Sequence, residues 1–338
     1  MANRLLLIVC IGIVLNLVFT YFISDGFQWA NFLQFSSFWL LAAFALAIFP
    51  WVCHAIELKI WTSFFKIHFP FRDCIRIAVA TDLGSAITPT MVGGGPIKVG
   101  MLVHSGMPIG QATAMLTLTA LEDLFFFLIV IPLSFVFTDP IALCILPGFA
   151  ENPLHYLPNI LVVVSILSLA TITGIYFLKK FGYLKRILAK IQAIFRDFMA
   201  AIHLILKDGK LHLAGATLAI FLRWVSRFFI LLCLVKGLDL QANYTKLFLS
   251  QWMIDLVMTA TPTPGAIGGA EGAFYFIFKS ILPKSQIGLI MTVWRFFSYY
   301  LLLLLAAIFL NMVKIKSRVV KGDIFQKGVT TQIRPLSK

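Results

Sequence analysis

The sequence predicts an all-α polytopic membrane protein with six spanning helices and two oppositely oriented re-entrant helical hairpins, arranged as an inverted-topology repeat. Three observations carry this reading. Of 338 residues, 60% are hydrophobic and 12% charged, with mean hydropathy +0.94, against soluble norms of about 45–50% and 25%. One soluble core could not hide that much apolar surface, so lipid must solvate most of the chain. Six apolar stretches are long enough to cross a bilayer, and two more are interrupted midway by Pro and Gly.

The spans run approximately over 5–23, 35–53, 111–137, 158–178, 211–235 and 286–313, judged against the ~20 helical residues that a ~30 Å hydrocarbon core requires. The first ends in YFISDGF without a small-residue cleavage pattern, so it reads as a helix and not as a signal peptide. Regions 72–108 and 246–285 differ. Cys74 to Ile87 and Leu247 to Ala260 would each reach only ~21 Å as helix before the breaks TPTMVGGGP and TPTPGAIGG. Both read as hairpins dipping into the membrane.

Basic residues orient these elements. The loop before the first hairpin carries Lys59, Lys66, Arg72 and Arg76, the 179–210 connector is rich in Lys and Arg, and the 314–338 tail is basic. Residues 24–34 and 138–157 contain acids and no Lys or Arg, so they face out. Both termini are then cytoplasmic, in an inner (plasma) membrane. The first hairpin begins and ends inside and the second begins and ends outside. The expected organisation is one transmembrane domain over 1–313, with repeat 1 at about 1–137 and repeat 2 at about 158–313. The connector reads as an amphipathic surface helix partnered by anionic lipid.

An offset of 173 residues places Thr88-Pro89-Thr90 on Thr261-Pro262-Thr263. It also places Asp82 on Asp255, Gly95 on Gly268, Lys98 on Glu271 and Glu122 on Arg295. Intramembrane charges are costly and rare, so their coincidence suggests a repeat with two ion pairs, Lys98 with Glu122 and Glu271 with Arg295. The pairs either form a central site or merely lock each hairpin to the helix after it. Likewise, Gly93, Gly94, Gly95, Gly265, Gly268 and Gly269 either expose backbone NH groups to a ligand or allow close helix packing.

Broken helices at membrane depth are tolerated where they pack in protein or line a wet cavity. Half-helix N-termini suit an anion, Lys98 adds a positive charge and Arg295 offers a bidentate fork. A phospholipid or polyprenyl-phosphate headgroup is therefore the expected guest. Residues Thr88, Pro89, Thr261 and Pro262 belong to the same predicted site, with Asp82, Glu122, Asp123, Asp255 and Glu271 as charge partners or proton carriers. Inverted repeats with broken helices point to translocation. No Walker-type phosphate loop occurs, so ATP hydrolysis by this chain is not expected.

Five scattered cysteines without CxxC spacing support neither a disulfide framework nor zinc. The +14 formal charge lies between apolar stretches, which points away from nucleic acid. His54 and Glu57 read as structural residues at a helix end, and His104 as a proton relay near Lys98. Arg223 and Arg227, four apart, either snorkel or join the polar site. No cofactor or metal is implied and no catalytic residue stands out. The rivals to lipid translocation are a secondary transporter of a small amphiphilic solute, a non-transporting scaffold and, last, an enzyme.

TPTMVGGGPIKVGMLVHSGMP followed by LEDLF, and TPTPGAIGGAEGAF followed by VWRFFSYY, resemble two signatures of the transmembrane region of lysylphosphatidylglycerol synthetases and their free-standing flippase-like relatives. The resemblance spans about residues 5–313. It implies a lipid-flippase-like inner-membrane protein, with aminoacylated phospholipid as cargo in some members. In others a glycosyltransferase or lipid-modifying enzyme is the partner. Lys98, Glu122, Glu271 and Arg295 stand at the family's charged positions. The chain departs from the pattern at Gly94, Gly95 and Pro96, and at Ala270, and only a short tail follows residue 313. Synthesis of lysyl-lipid by this chain alone is not implied.

Overall fold

A computed structural model of the chain describes residues 29–138 and 207–312, with residues 192, 199 and 203. The predicted spans 5–23 and 158–178, almost all of the connector and the basic tail lie outside the described residues. Those that are described are helical, with short 3₁₀ turns.

After a 3₁₀ turn at Trp29–Gln34 come α1 (Ser37–Phe64), α2 (Phe71–Ile87), α3 (Gly94–His104) and α4 (Ile109–Phe137). The second part comprises α5 (Lys210–Gly237), α6 (Tyr244–Leu249), α7 (Gln251–Ala260), α8 (Gly269–Phe278), α9 (Lys284–Arg295) and α10 (Leu301–Met312). A π-helical turn at Phe296–Tyr300 joins α9 to α10 without interruption. Four segments are long and apolar enough to cross a membrane: α1, α4, α5 and the continuous α9–α10. The chain is a multi-pass membrane protein. At ~1.5 Å per residue, the 28 residues of α1 exceed a ~30 Å hydrocarbon core.

Local chemistry explains most boundaries. Pro70, Pro108 and Pro283 each immediately precede a helix, at the starts of α2, α4 and α9, where a missing N–H removes nothing from the helical ladder. Asn243 caps α6 by accepting from the Lys246 amide at 3.0 Å. The helix α1 runs well past the predicted end at residue 53. It continues through Pro50 because its second half is held by packing: Cys53, His54, Ala55, Glu57, Leu58 and Trp61 are buried, several of them in the core shared with α2 and α3. Lys59, expected in a loop, is therefore helical, and its ammonium donates to the Phe69 carbonyl at 2.7 Å.

The bounds recur with an internal period. Shifting Ser37–Phe64 by 173 gives Lys210–Gly237, and shifting Phe71–Ile87 gives Tyr244–Ala260, the span of α6 and α7. Beyond the breaks the shift becomes 175, which carries Gly94 onto Gly269 and Ile109–Phe137 onto Lys284–Met312. The second break, 261–268, is two residues longer than the first, 88–93. A single offset of 173 therefore fits the helices before the breaks and misses the later ones by about half a helical turn.

The two long helices α1 and α5 pack along one another and form the centre of the described bundle. The two breaks close as 3₁₀ turns, Pro89–Met91 and Pro264–Ala266. These tips pack against each other, and each also touches the first arm of the opposite hairpin. Outer faces remain apolar: Phe38 and Leu41 on α1 and Leu128, Val136 and Phe137 on α4 are exposed, as lipid-facing positions require.

Candidate functional site

A cavity of about 370 Å³ lies between the hairpins, walled by α1, α2, α3, α4, α5, α7 and the α9–α10 segment. Its charged lining is of mixed sign: Lys98, Arg223 and Arg227 face Asp82, Asp123 and Asp255, with His54 among them. Trp51, Trp224, Trp294 and Tyr299 supply aromatic wall. Ligand sites with a few charged groups set in apolar surroundings have this composition.

Each charge is placed by its helix. Arg223 and Arg227 are one turn apart on α5 and so share a face. Arg223 is ion-paired with Asp123 of α4, whose Oδ1 also accepts from Trp224 Nε1 at 2.7 Å. Arg227 has its guanidinium 5.1 Å from the Trp224 ring centroid. No hydrogen bond or ion pair to an acid holds it among the described residues, although Asp255 and Asp82 are near enough to feel its charge. Gln251 ties α7 to α5 by donating to the Phe228 carbonyl at 2.9 Å.

Of the residues expected at the site, Asp82, Gly95, Lys98, Asp123 and Asp255 line the cavity. The expected Lys98–Glu122 ion pair is replaced by another. Lys98 Nζ lies 3.5 Å from Glu57 Oε1 and donates to Thr119 Oγ1 at 2.6 Å, while Thr119 Oγ1 donates to Glu57 Oε1 at 2.6 Å. Because α1 extends to Phe64, it brings Glu57 to a position that α4 was expected to fill. Glu122 is buried nearby, close enough for its charge to interact with those of Glu57 and Lys98, and the Trp61 indole sits beside it short of a hydrogen bond.

Glu271 and Arg295 do pair, Nε to Oε1 at 2.7 Å, with both side chains almost wholly buried. They do so away from the cavity lining. The remaining oxygen of Glu271 accepts from the Gly268 amide at 2.7 Å, closing the N-terminus of α8. Arg295 Nη2 donates to the Gly265 carbonyl at 2.9 Å. The fork expected to hold a phosphate thus clamps the second tip to α9.

The glycines also work mainly in packing. A Cβ on Gly94 would meet the Ser85 hydroxyl and the Thr81 carbonyl on α2, so only glycine lets α3 return against α2 this closely. Gly265 has φ +64, and a Cβ there would overlap the Tyr299 ring. Gly93 and Gly269 are similarly confined, against Thr88 and Thr261. Gly268, at φ +87, stands in open space. Thr88 caps the first break, donating to the Gly84 carbonyl at 2.8 Å and accepting from the Gly93 amide at 2.9 Å. Thr261 donates to the Val257 carbonyl at 2.7 Å, and Pro89 and Pro262 sit exposed at the breaks. Neither these five glycines nor Thr88, Thr261, Pro89 and Pro262 line the cavity.

His54, read from sequence as structural, lines the cavity. His104, read as the relay, is exposed at the far end of α3 and does not. Of the two readings left open for Arg223 and Arg227, joining the polar site is the one their place in the lining supports. For His54 and Glu57, the signal that could have found them is the i,i+3 spacing, which puts two ionisable groups on one face of an apolar helix. Cys53, Cys74 and Cys233 are buried free thiols. Among the described residues no group of His, Cys, Asp and Glu could hold a metal ion.

A family model described as "Lysylphosphatidylglycerol synthase TM region" matches residues 7–306. A "UPF0104 membrane protein" of Archaeoglobus fulgidus is 22% identical to this chain over 335 residues, covering 93% of this chain and 99% of its own length.

Proposed function

The chain belongs to the lysylphosphatidylglycerol synthase TM region family, and from that premise we propose that it binds a phospholipid or polyprenyl-phosphate headgroup in the central cavity and moves it across the membrane. The observation that carries this reading is Arg227, a cavity-lining guanidinium held by no acid among the described residues. An anionic oxygen reaching it would gain a charge-assisted, geometrically matched hydrogen-bond pair. Asp82 and Asp255, on the corresponding helices α2 and α7, supply acids for the cationic part of a zwitterionic headgroup.

The topology that serves this function is an inverted repeat of six spans, with two hairpins entering from opposite sides of an inner membrane and both termini cytoplasmic. The recurrence of helix bounds, the contact between the tips and the placement of Lys and Arg support it. Alternate opening on either side of touching tips would expose one site to each leaflet in turn. The chain acts in this reading as a translocator and not as an enzyme. A lipid-modifying enzyme or glycosyltransferase would supply or consume the lipid that is moved.

The test is one-sided bleaching of fluorescent phospholipid in proteoliposomes. Wild-type protein exposes lipid of both leaflets to the bleach. Arg227→Ala slows that exposure about 10- to 100-fold, as loss of a hydrogen bond to a charged group worth about 1.5–3 kcal/mol requires. Wild-type vesicles that bleach no faster than empty ones would favour a scaffold, and uptake of a water-soluble amphiphile without lipid movement would favour a solute transporter.

A further inference from the structure

Where α1, α3 and α4 meet lie four ionisable side chains to which headgroup binding assigns no role, each at most 4% exposed: His54 and Lys98, which line the cavity, and Glu57 and Glu122 behind them, which do not. Lys98 is paired with Glu57, and among the described residues no ion pair or hydrogen bond holds the carboxylate of Glu122. An uncompensated charge away from water is expensive, so neutrality places one exchangeable proton on a carboxylate or on the imidazole.

His54 is built to exchange that proton with the cavity. Among the described residues, both of its ring nitrogens are buried without a hydrogen-bond partner. Its Nδ1 faces Asp82 Oδ1 at 3.8 Å and its Nε2 faces Glu57 Oε2 at 3.6 Å. Asp82 is 44% exposed and lines the cavity, whereas Glu57 is fully buried and its Oε2 accepts no hydrogen bond among the described residues. Each gap exceeds a hydrogen bond by roughly 0.5–1 Å, a distance that a small ring displacement or one water closes. The charged groups facing this path are Lys98 from α3, Glu122 and Asp123 from α4, and Arg223 and Arg227 from α5.

We infer that Asp82, His54 and Glu57 form a proton path that exchanges one proton between the cavity and the buried cluster, so that occupancy of the cavity is coupled to protonation. Asp82, protonated from cavity water, gives its proton to His54 Nδ1: the O–H bond breaks and an N–H bond forms. The imidazolium then gives its Nε2 proton to Glu57 Oε2, which leaves a neutral imidazole of the opposite tautomer and a protonated Glu57. One proton has moved inward, and none is created or lost. Only what the proton drives rests on the headgroup reading.

The experiment is infrared spectroscopy of the full-length protein in nanodiscs, following the protonated-carboxyl band through a pH titration and after transfer to D₂O. Wild type shows an exchangeable protonated-carboxyl band that Glu57→Gln removes. In His54→Gln the band persists, but its exchange slows about a hundredfold, the low end of what a positioned proton-transfer group contributes. Asp82→Asn, at the exposed mouth of the path, slows it likewise and serves should a buried substitution fail to fold. A band unchanged in Glu57→Gln, or exchange at wild-type rate in both His54→Gln and Asp82→Asn, overturns the proposal. Lipid bleaching under an imposed pH gradient is read in parallel. If the band behaves as stated while no lipid moves, the proton path stands and the headgroup reading falls.

Discussion

Glu57 and Lys98, on α1 and α3, meet at 3.5 Å with both side chains almost wholly excluded from solvent, and Thr119 of α4 bonds to both at 2.6 Å. Three helices are joined by one oxygen and one ammonium, so the ion pair fixes the first hairpin against the two long helices that flank it.

Removing one member of that pair strands the other. Lys98→Met is expected to destabilise the protein by about 3–5 kcal/mol, as breaking a buried ion pair does, and its combination with Glu57→Gln to recover a large part of that loss. Thermal unfolding in detergent, arranged as a double-mutant cycle, reads the coupling. Additive losses would show that the two residues act independently.

Arg295 serves the second hairpin in a different way. Arg295→Lys keeps the charge but cannot bond Glu271 and the Gly265 carbonyl together with a planar fork. It is expected to lower the unfolding temperature, and to reduce lipid movement only in proportion to the folded fraction, because Arg295 does not line the cavity. A full-strength loss of movement in stably folded Arg295→Lys would place the guanidinium in the transport site.

Gly265→Ala brings two penalties, a left-handed φ of +64 and overlap with the Tyr299 ring. The Tyr299 hydroxyl donates to the Ala86 carbonyl at 3.1 Å, so a displaced ring also loosens the link to the first hairpin. A loss of about 1–3 kcal/mol is expected from the backbone strain, which Gly268 at φ +87 shares, and the overlap with Tyr299 makes the loss larger at Gly265 than at Gly268, where added volume meets nothing. Comparison of the unfolding midpoints of Gly265→Ala and Gly268→Ala tests this, and equal midpoints would contradict it.

The breaks in α2–α3 and α7–α8 were legible because Pro and Gly act on their own backbone. Asp82 and Asp255 stood out because a charge in an apolar run is conspicuous without any neighbour. Partners were not legible. The choice of Glu57 over Glu122 for Lys98 depends on α1 persisting through Pro50 to Phe64, and that persistence comes from tertiary burial of Leu58 and Trp61. The two extra residues of the second break had the same kind of effect. They shift the helices after it by about half a turn, so Lys98 and Glu122 do not occupy the places of Glu271 and Arg295. Glycine clusters marked the turns correctly, but the contacts of Gly94 with α2 and of Gly265 with Tyr299 needed the fold.

The most direct measurement is photo-crosslinking in nanodiscs with a phospholipid that carries a diazirine in its headgroup, followed by peptide mapping. A headgroup held in the cavity labels α2 around residues 81–86, α5 around 223–228 and α7 around 251–258, and Arg227→Ala depletes that label. Label confined to the outward faces of α1 and α4, near Phe38 and Leu128, and unaffected by Arg227→Ala, would contradict the account.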